Sequence, residues 1–465
     1  MEIPKNIFKA YDIRGIYGEQ LTNKAAKIIA KSLSVIYKKN NNKIVVGRDG
    51  RLSSFSLSKY LIEGFLESGK DVIDIGEVPT PLLYFAINHF NLNSGVMVTG
   101  SHNPKNYNGF KIIMNGSALL SKEIEKIYKN ILKKNFNTSK PCVAKLQNVS
   151  ICEQYINTIL KNIKINRKLK ISIDAGNGVS GPVALNVFKN LGLEVIDLYC
   201  NIDGNFPNHH PNPSDPKNLC DLILSVKKNK CDLGIAFDGD GDRCLIIDNL
   251  GGILWPDKQM MVYSKDILSR NNNASIVYDV KSSRDLPIYI TKYDGVPVLC
   301  RTGHTYIKKK MMEIGALLGG ELSGHIFFND RWFGFDDGIY TGARMLEILS
   351  NDSRSSSKIF SELPKSHSTT EINIFFDKDG IQHDFMKNFI RKAKFTNAEI
   401  IKIDGLRVDY KNGWGLLRAS NTMPCVVMRF EADTKKNLSI IKSNFINEIL
   451  KIDSSLEIPN EKDSS

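Results

Sequence analysis

One pattern recurs three times along this chain and restricts its fold more than any other feature. A short β-branched strand runs into an acidic turn, a helix-length segment and a second strand. The first copy starts at Ile44-Val45-Val46-Gly47-Arg48-Asp49, passes a helix ending near Gly69 and reaches a strand at Asp71–Ile75. The second starts at Ile171-Ser172-Ile173-Asp174-Ala175-Gly176-Asn177-Gly178, passes a helix to Gly192 and reaches Glu194–Leu198. The third starts at Ile276-Val277-Tyr278-Asp279-Val280-Lys281, passes a helix near Tyr293 and reaches Val296–Cys300. Strand, helix and strand with a crossover is the βαβ unit. Short apolar strands flanked by helices predict a buried parallel or mixed sheet.

Each copy then arrives at a polar loop between apolar segments. These are Thr99-Gly100-Ser101-His102-Asn103-Pro104, Asp238-Gly239-Asp240-Gly241-Asp242-Arg243 and Gly320-Glu321-Leu322-Ser323-Gly324-His325. Equivalent loops of a repeated architecture fall at equivalent sheet edges, a common place for ligands. Breaks in the pattern near the polar stretch Asn135–Cys142, at Gly252, and at Ser350–Lys358 with Pro364 predict domains at 1–148, 149–253, 254–366 and 367–465. At roughly 100–200 residues per domain, a chain of 465 residues has room for about three or four. From about Ser368 the rhythm changes, so the last domain is expected to be a smaller α+β one, ending in a polar tail from Ile458 to Ser465.

Composition excludes several classes. Charged residues make up 24% and hydrophobic residues 42%, the balance of a folded globular chain. The net charge is +13, but Lys and Arg are dispersed rather than gathered in an arm, so a nucleic-acid partner is not expected. Runs such as Lys38-Lys39-Asn40-Asn41-Asn42-Lys43 read as a solvated Lys/Asn-rich surface. The eight cysteines form no Cys-x-x-Cys pair and no zinc spacing, which fits thiols in a reducing compartment. No apolar run approaches the ~20 residues that span a bilayer. The opening Met-Glu-Ile-Pro-Lys-Asn lacks a secretory pattern, so the expected location is the cytoplasm, without a membrane partner.

The Asp238-Gly-Asp240-Gly-Asp242 turn carries the sharpest chemistry. Three carboxylates this close repel unless a cation holds them, and glycine lets the backbone turn so that they converge. Hard oxygen ligands suit Mg²⁺ or Ca²⁺. An EF-hand does not fit, because Arg243 stands at the sixth loop position and Asn249 at the twelfth. Ser101 follows an apolar strand, Gly95–Val98, and is a candidate nucleophile or phosphate carrier. Neighbouring side chains generally point apart, so Ser101 and His102 are not read as a hydrolase-type pair. Lys111 is placed to steady a phosphoryl group. Glu321, Ser323 and His325 suit sugar hydroxyls. Arg418, Ser420, Asn421 and Thr422 pack a guanidinium, two hydroxyls and an amide into five residues, as a phosphate dianion requires. His304, in Arg301-Thr302-Gly303-His304, is a candidate proton shuttle.

Taken in order, TGSHNP, DGDGDR, GELSGH and RASNTMP resemble the α-D-phosphohexomutases, in particular the bacterial phosphomannomutase/phosphoglucomutase branch. The resemblance spans the chain from Phe8-Lys9-Ala10-Tyr11-Asp12-Ile13-Arg14-Gly15 to Arg418–Asp433. It implies an α/β protein of four domains around a central cleft, the first three sharing a mixed-sheet topology. It implies that Ser101 carries the phosphoryl group and that Asp238, Asp240 and Asp242 hold Mg²⁺ together with an oxygen of the phosphoserine. Arg14, Lys111 and His304 join Ser101 as catalytic candidates. Tyr11, Arg14, Arg243, Lys281, His304, Glu321, Ser323 and His325 become substrate contacts, and Arg418, Ser420, Asn421 and Thr422 the grip on the non-reacting phosphate.

The implied reaction interconverts hexose 1-phosphate and hexose 6-phosphate, with hexose 1,6-bisphosphate as intermediate and activator, in a monomeric enzyme. Relatives acting on glucosamine phosphate usually carry Gln where Leu322 stands, so mannose and glucose phosphates are the expected substrates. A phosphoglucosamine mutase and a non-catalytic phosphosugar-binding protein are the alternatives.

Overall fold

The computed structural model describes residues 3–37, 42–134, 136, 144–378, 380–420 and 423–459. The chain divides into two compact units. One comprises Met1–Pro256 with Ser323–Phe360, the other Asp257–Leu322 with Ser361–Ser465.

The first unit holds two sheets. In the seven-stranded one, Lys43–Arg48 lies between Asp71–Glu77 and Gly95–Val98 and runs parallel to both. Tyr107–Met114 then pairs antiparallel with Gly95–Val98, and Ile13–Ile16 pairs antiparallel with it in turn. The central strand shows no alternation of apolar and polar residues because both of its faces are covered: Ile44, Val45 and Val46 are all fully buried. In the five-stranded sheet, Lys170–Asp174 sits between Glu194–Leu198 and Leu233–Phe237, parallel to each. Cys244–Asp248 closes back antiparallel on Leu233–Phe237, register Phe237↔Cys244, so the six residues 238–243 form the hairpin between them.

In the second unit, Ser275–Asp279 runs parallel to Val296–Cys300 and to Leu318–Gly320. Its C-terminal part is a six-stranded sheet in which every described pairing is antiparallel. The helices Ile381–Lys392 and Lys435–Ile452 pack on that sheet around Phe389, Phe430 and Phe445. The three predicted βαβ copies are therefore present with the expected parallel pairing, and the fourth region is α+β. Within the two-way division, Ser323–Phe360 clusters with the first unit, because the helix Gly338–Ser350 packs against Leu233–Phe237, Cys244–Asp248 and the Ser180–Asn190 helix.

That helix is buried on nearly every side, so its polar groups need internal partners. Arg344, fully buried, forks onto both oxygens of Asp330 at 2.8 and 3.0 Å. Asp337 caps the first turn by accepting from Tyr340 N at 2.9 Å, and it also accepts from Tyr155 Oη at 2.9 Å and Trp332 Nε1 at 3.2 Å. Burial pushes the Asp337 carboxyl up to about 7, with these three donors pulling the other way. Removing one donor raises it further, so the loss grows as pH rises through 7 and the carboxylate ionises. Tyr155→Phe is expected to cost about 1–3 kcal/mol at pH 8 and less at pH 5, where Asp337 keeps its proton. Urea unfolding of both proteins at the two pH values measures this; an equal cost at both would contradict it.

Candidate active site

The strand Gly95–Val98 delivers Thr99-Gly100-Ser101 to the end of the first sheet. Asp49, at the end of the neighbouring strand, accepts from Thr99 Oγ1 at 2.7 Å and from Gly100 N at 3.1 Å. Ser101 takes a left-handed backbone, φ 49°, and its N–H donates to Thr99 Oγ1 at 2.8 Å. Arg51 holds the far side of the loop. It donates from Nη2 to Ser101 O at 2.7 Å and Asn103 O at 2.6 Å, and from Nη1 to Pro104 O at 2.7 Å and Tyr107 O at 3.0 Å. Glycine is needed at position 100, where a Cβ would come within 2.5 Å of the Arg51 guanidinium and 2.8 Å of Tyr107 O.

The left-handed turn has a consequence that simple adjacency hides. Ser101 Oγ lies 3.1 Å from His102 Nδ1, so the two neighbouring side chains meet rather than point apart. Burial, with Arg243 and Arg14 nearby, holds the His102 imidazole well below its ordinary pKa. It is a neutral ring beside the hydroxyl. Ser101 Oγ also donates to Asp238 Oδ2 at 3.2 Å, which joins the serine loop to the acidic turn.

Asp238, Asp240 and Asp242 are all completely buried, with one oxygen of each inside a 4.8 Å group. Lys111 Nζ lies 2.6 Å from Asp240 Oδ2 and also contacts Asp242 Oδ2. Thr80 Oγ1 donates to Asp240 Oδ2 at 2.5 Å, and Arg243 N donates to Asp238 Oδ1 at 3.1 Å. Burial raises Asp238, helped by its two acidic neighbours. For Asp242 the burial is outweighed by Lys111 and His325, which hold it well below the usual carboxylate range. Lys111 itself is raised, because the carboxylates more than offset its burial, so it stays charged.

One ammonium is not enough for this trio. Asp240 Oδ1 is buried without a hydrogen-bond donor, and Asp242 Oδ1 makes no hydrogen bond, meeting only His325 Nε2 in a 3.4 Å ion-pair contact. Each like-charged pair about 4 Å apart costs about 4 kcal/mol at an effective dielectric of 20. Orphaned carboxylate oxygens that converge, with a hydroxyl beside them, fit a hard divalent cation.

His325 approaches from the segment after the third loop. Its Nε2 lies 3.4 Å from Asp242 Oδ1 and 3.4 Å from Arg243 Nε, and its Nδ1 lies 2.9 Å from Ser323 Oγ. Arg14 donates to Asn103 Oδ1 at 2.5 Å and pairs with Asp12 at 2.6 Å, with Tyr11 near enough to act on its charge. The first unit thus gathers Tyr11, Arg14, Ser101, Lys111, the three aspartates, Arg243, Ser323 and His325.

The second unit gathers another group. Lys281 Nζ pairs with Glu371 Oε1 at 2.8 Å. Arg418 Nε pairs with Asp404 Oδ2 at 2.9 Å, and Asp404 also accepts from Thr302 N at 3.1 Å. Gly303 N donates to the buried Glu321, and the next residue, His304, opens the helix His304–Ile314. Ser420 Oγ accepts from Met423 N at 3.2 Å. Asn421 and Thr422 lie outside the described residues.

The sequence reading did not single out His102, Asp49, Arg51 or Thr80. The serine-histidine adjacency and the acidic turn after Lys43–Arg48 were visible, but their roles depend on a backbone turn and on long-range approach.

Comparison with known proteins agrees with this arrangement. The family descriptions phosphoglucomutase/phosphomannomutase alpha/beta/alpha domain I, II and III match residues 5–138, 153–251 and 255–367, and the family's C-terminal domain matches 378–448. The phosphomannomutase/phosphoglucomutase of Pseudomonas aeruginosa is 48% identical over 458 residues, covering 98% of each chain. The phosphoglucomutase of Neisseria meningitidis serogroup A is 47% identical, covering 95% of this chain and 96% of its own. A crystal structure of a phosphoglucomutase/phosphomannomutase family protein from Burkholderia thailandensis superposes with a TM-score of 0.93 at 42% identity, covering 98% of this chain and 100% of that one. The chain belongs to the phosphoglucomutase/phosphomannomutase family, whose members are isomerases.

Proposed function

We propose that this enzyme interconverts the 1- and 6-phosphates of mannose and glucose through a phosphorylated Ser101. The observation that carries the proposal is Ser101 Oγ held against Asp238 at the edge of a buried carboxylate trio with orphaned oxygens. A hydroxyl there can carry a phosphoryl group whose charge is met on one side by a cation and on others by Lys111, Arg14 and Arg243.

In the forward step, the bond between phosphorus and Ser101 Oγ breaks while a sugar hydroxyl oxygen bonds to the phosphorus. The proton of that hydroxyl leaves to a base, and the product is the hexose 1,6-bisphosphate. The bisphosphate turns over, the other ester bond breaks, and its phosphoryl group returns to Ser101 Oγ. Lys111 enters protonated and steadies the phosphoryl oxygens, while His304 is the proposed proton carrier. Mg²⁺ bound by Asp238, Asp240 and Asp242 would offset the charge spread over those oxygens. Arg418 and Ser420, with Asn421 and Thr422, take the non-reacting phosphate, with Lys281 as a further cation near Arg418. Glu321 and Ser323 read the sugar hydroxyls. Leu322, where glucosamine-phosphate enzymes usually have Gln, supports the unsubstituted hexoses.

The same reading places the enzyme in the cytoplasm as a monomer. In support, the seven described cysteines are free thiols, and no described helix is long and apolar enough to cross a membrane.

Ser101→Ala is expected to lower turnover of glucose 1-phosphate and mannose 1-phosphate by at least about a thousandfold with unchanged folding. Intact mass after incubation with glucose 1,6-bisphosphate should rise by one phosphoryl group in the wild type only. Wild-type turnover in the variant would sink the assignment.

Chelation by EDTA should abolish activity and added Mg²⁺ restore it. Asp240→Asn, which replaces the carboxylate whose Oδ1 has no donor, should raise the Mg²⁺ needed for half-activation by more than about tenfold. A magnesium titration of initial rate measures it, and an unshifted curve would remove Asp240 from the ligand set.

A further inference from the structure

We propose that the segment Asp203–Pro211 is a positioning strap, which ties the serine loop to the acidic turn and is pinned by His209 on Asp174. The inference rests on the proposed roles of Ser101 and the three aspartates. It assigns residues that do not themselves touch substrate.

The strap reaches the serine loop through Arg51. The Phe206 ring sits 5.2 Å from the Arg51 guanidinium carbon, on the cation that holds four carbonyls of the 101–107 loop. The approach is close by construction. A Cβ on Gly204 would come within 2.6 Å of both Gly50 O and Leu52 N, so only glycine lets the strap lie against the 50–52 turn. Phe206 itself has φ 50°, and its N–H donates to Asp203 O at 3.0 Å, which turns the ring inward.

The strap reaches the acidic turn through its other end. Gly239 N donates to Pro211 O at 3.2 Å, and a Cβ on Gly239 would come within 2.6 Å of Ser101 O. Gly239 lies between Asp238 and Asp240, so the Pro211 carbonyl fixes the backbone from which both carboxylates project. One short segment therefore bears on both halves of the phosphoryl-transfer site.

His209 is the pin. Its Nε2 lies 3.0 and 3.1 Å from the two oxygens of Asp174, and its Nδ1 lies 3.0 Å from His210 O. Acceptors face both ring nitrogens, an arrangement that a doubly protonated ring satisfies in full. Burial pulls the imidazole down, but Asp174 more than offsets it, so its pKa lies above the ordinary value. Asp174 occupies the end of Lys170–Asp174, an interior strand paired on both sides, so the pin is anchored in the sheet. Without it, the Pro211 carbonyl and the Phe206 ring would keep their chemistry but lose their place.

The test compares full-length wild type with His209→Ala, His209→Gln and Phe206→Ala. Glutamine keeps an N–H that can reach Asp174 without an ionisable ring. The readouts are kcat and KM for glucose 1-phosphate, and binding of MgCl₂ alone by calorimetry. His209→Ala should weaken Mg²⁺ binding and lower kcat by about tenfold each, with KM within about twofold. His209→Gln should recover most of both losses. Phe206→Ala, a half-buried loop residue whose loss leaves the core intact, should lower kcat with KM unchanged.

Wild-type kcat and Mg²⁺ binding in His209→Ala would overturn the strap, as would a glutamine variant no better than alanine. If His209→Ala does not fold, Phe206→Ala decides: wild-type kcat there overturns the proposal. The underlying site is judged separately. A wild type that binds no Mg²⁺ and gains no phosphoryl mass from glucose 1,6-bisphosphate would refute the site itself rather than the strap.

Discussion

Three carboxylates without solvent exposure are the constraint around which the first unit is built. Removing a single ion from water costs several kcal/mol even after the protein relaxes, and three of one sign also repel each other. The neighbourhood shows how that is met. Lys111 comes from the antiparallel strand Tyr107–Met114, Thr80 from the start of the helix Thr80–His89, and His325 from the segment beyond residue 322. Arg243 is contributed by the turn itself. Three distant parts of the chain must therefore reach the turn before its charges are met. Even then neither Asp240 Oδ1 nor Asp242 Oδ1 makes a hydrogen bond, the latter meeting only His325 Nε2 at 3.4 Å. The fold brings the site to the point where a divalent cation completes it.

The internal repeat explains how the supports came to stand where they do. Each copy places an aspartate at the end of its first strand or just past it, and each uses it differently. Asp49 braces Thr99 and Gly100 of the serine loop. Asp174 receives His209. Asp279 accepts from Ser282 Oγ at 2.8 Å, Thr302 Oγ1 at 3.1 Å and Leu322 N at 3.3 Å, and so stabilises the turns that carry Lys281, His304 and Glu321. A carboxylate at the C-terminal end of a buried parallel strand is well placed for such work, because several loops converge there. The same architectural position yields a brace, an anchor and a hub, according to which loop reaches it.

Much of this was legible from the residues alone. The βαβ grammar rests on strand composition and spacing, which act locally, so Lys43–Arg48, Lys170–Asp174 and Ser275–Asp279 fall within a residue of the strands expected. The acidic turn was legible because three alternating carboxylates have few other reasons to exist. What escaped was set by tertiary approach or by an unusual backbone. The meeting of Ser101 and His102 requires φ 49° at a serine, which no propensity signals. Arg51 reads as an ordinary charged turn residue until the 101–107 carbonyls arrive around it. The bonds of Ser356 Oγ to Asn249 and Asp232, at 3.1 and 2.6 Å, likewise join residues more than a hundred positions apart and leave no local signal.

The second unit handles its cations in a way that complements the first. Lys281 and Arg418 are both nearly buried, and each is already paired, Lys281 with Glu371 and Arg418 with Asp404. Two unpaired cations close together would repel and would be costly to desolvate. The carboxylates remove that cost and also fix geometry, since Asp404 ties Arg418 to the backbone of Thr302. Arg407 adds support from the C-terminal sheet. It donates to Val280 O at 2.7 Å and Ser282 O at 2.9 Å, while its guanidinium lies 4.0 Å from the Trp414 ring centre. Arg429 holds Lys281 O in the same way. The backbone around Lys281 is thus clamped by two arginines while its ammonium stays in its salt bridge with Glu371. Under the proposed function, a phosphate with two negative charges would need no new cation, only a redistribution of pairs already in place. The acidic turn of the first unit is the opposite case: there the protein itself supplies the excess negative charge, as a metal-binding cluster does.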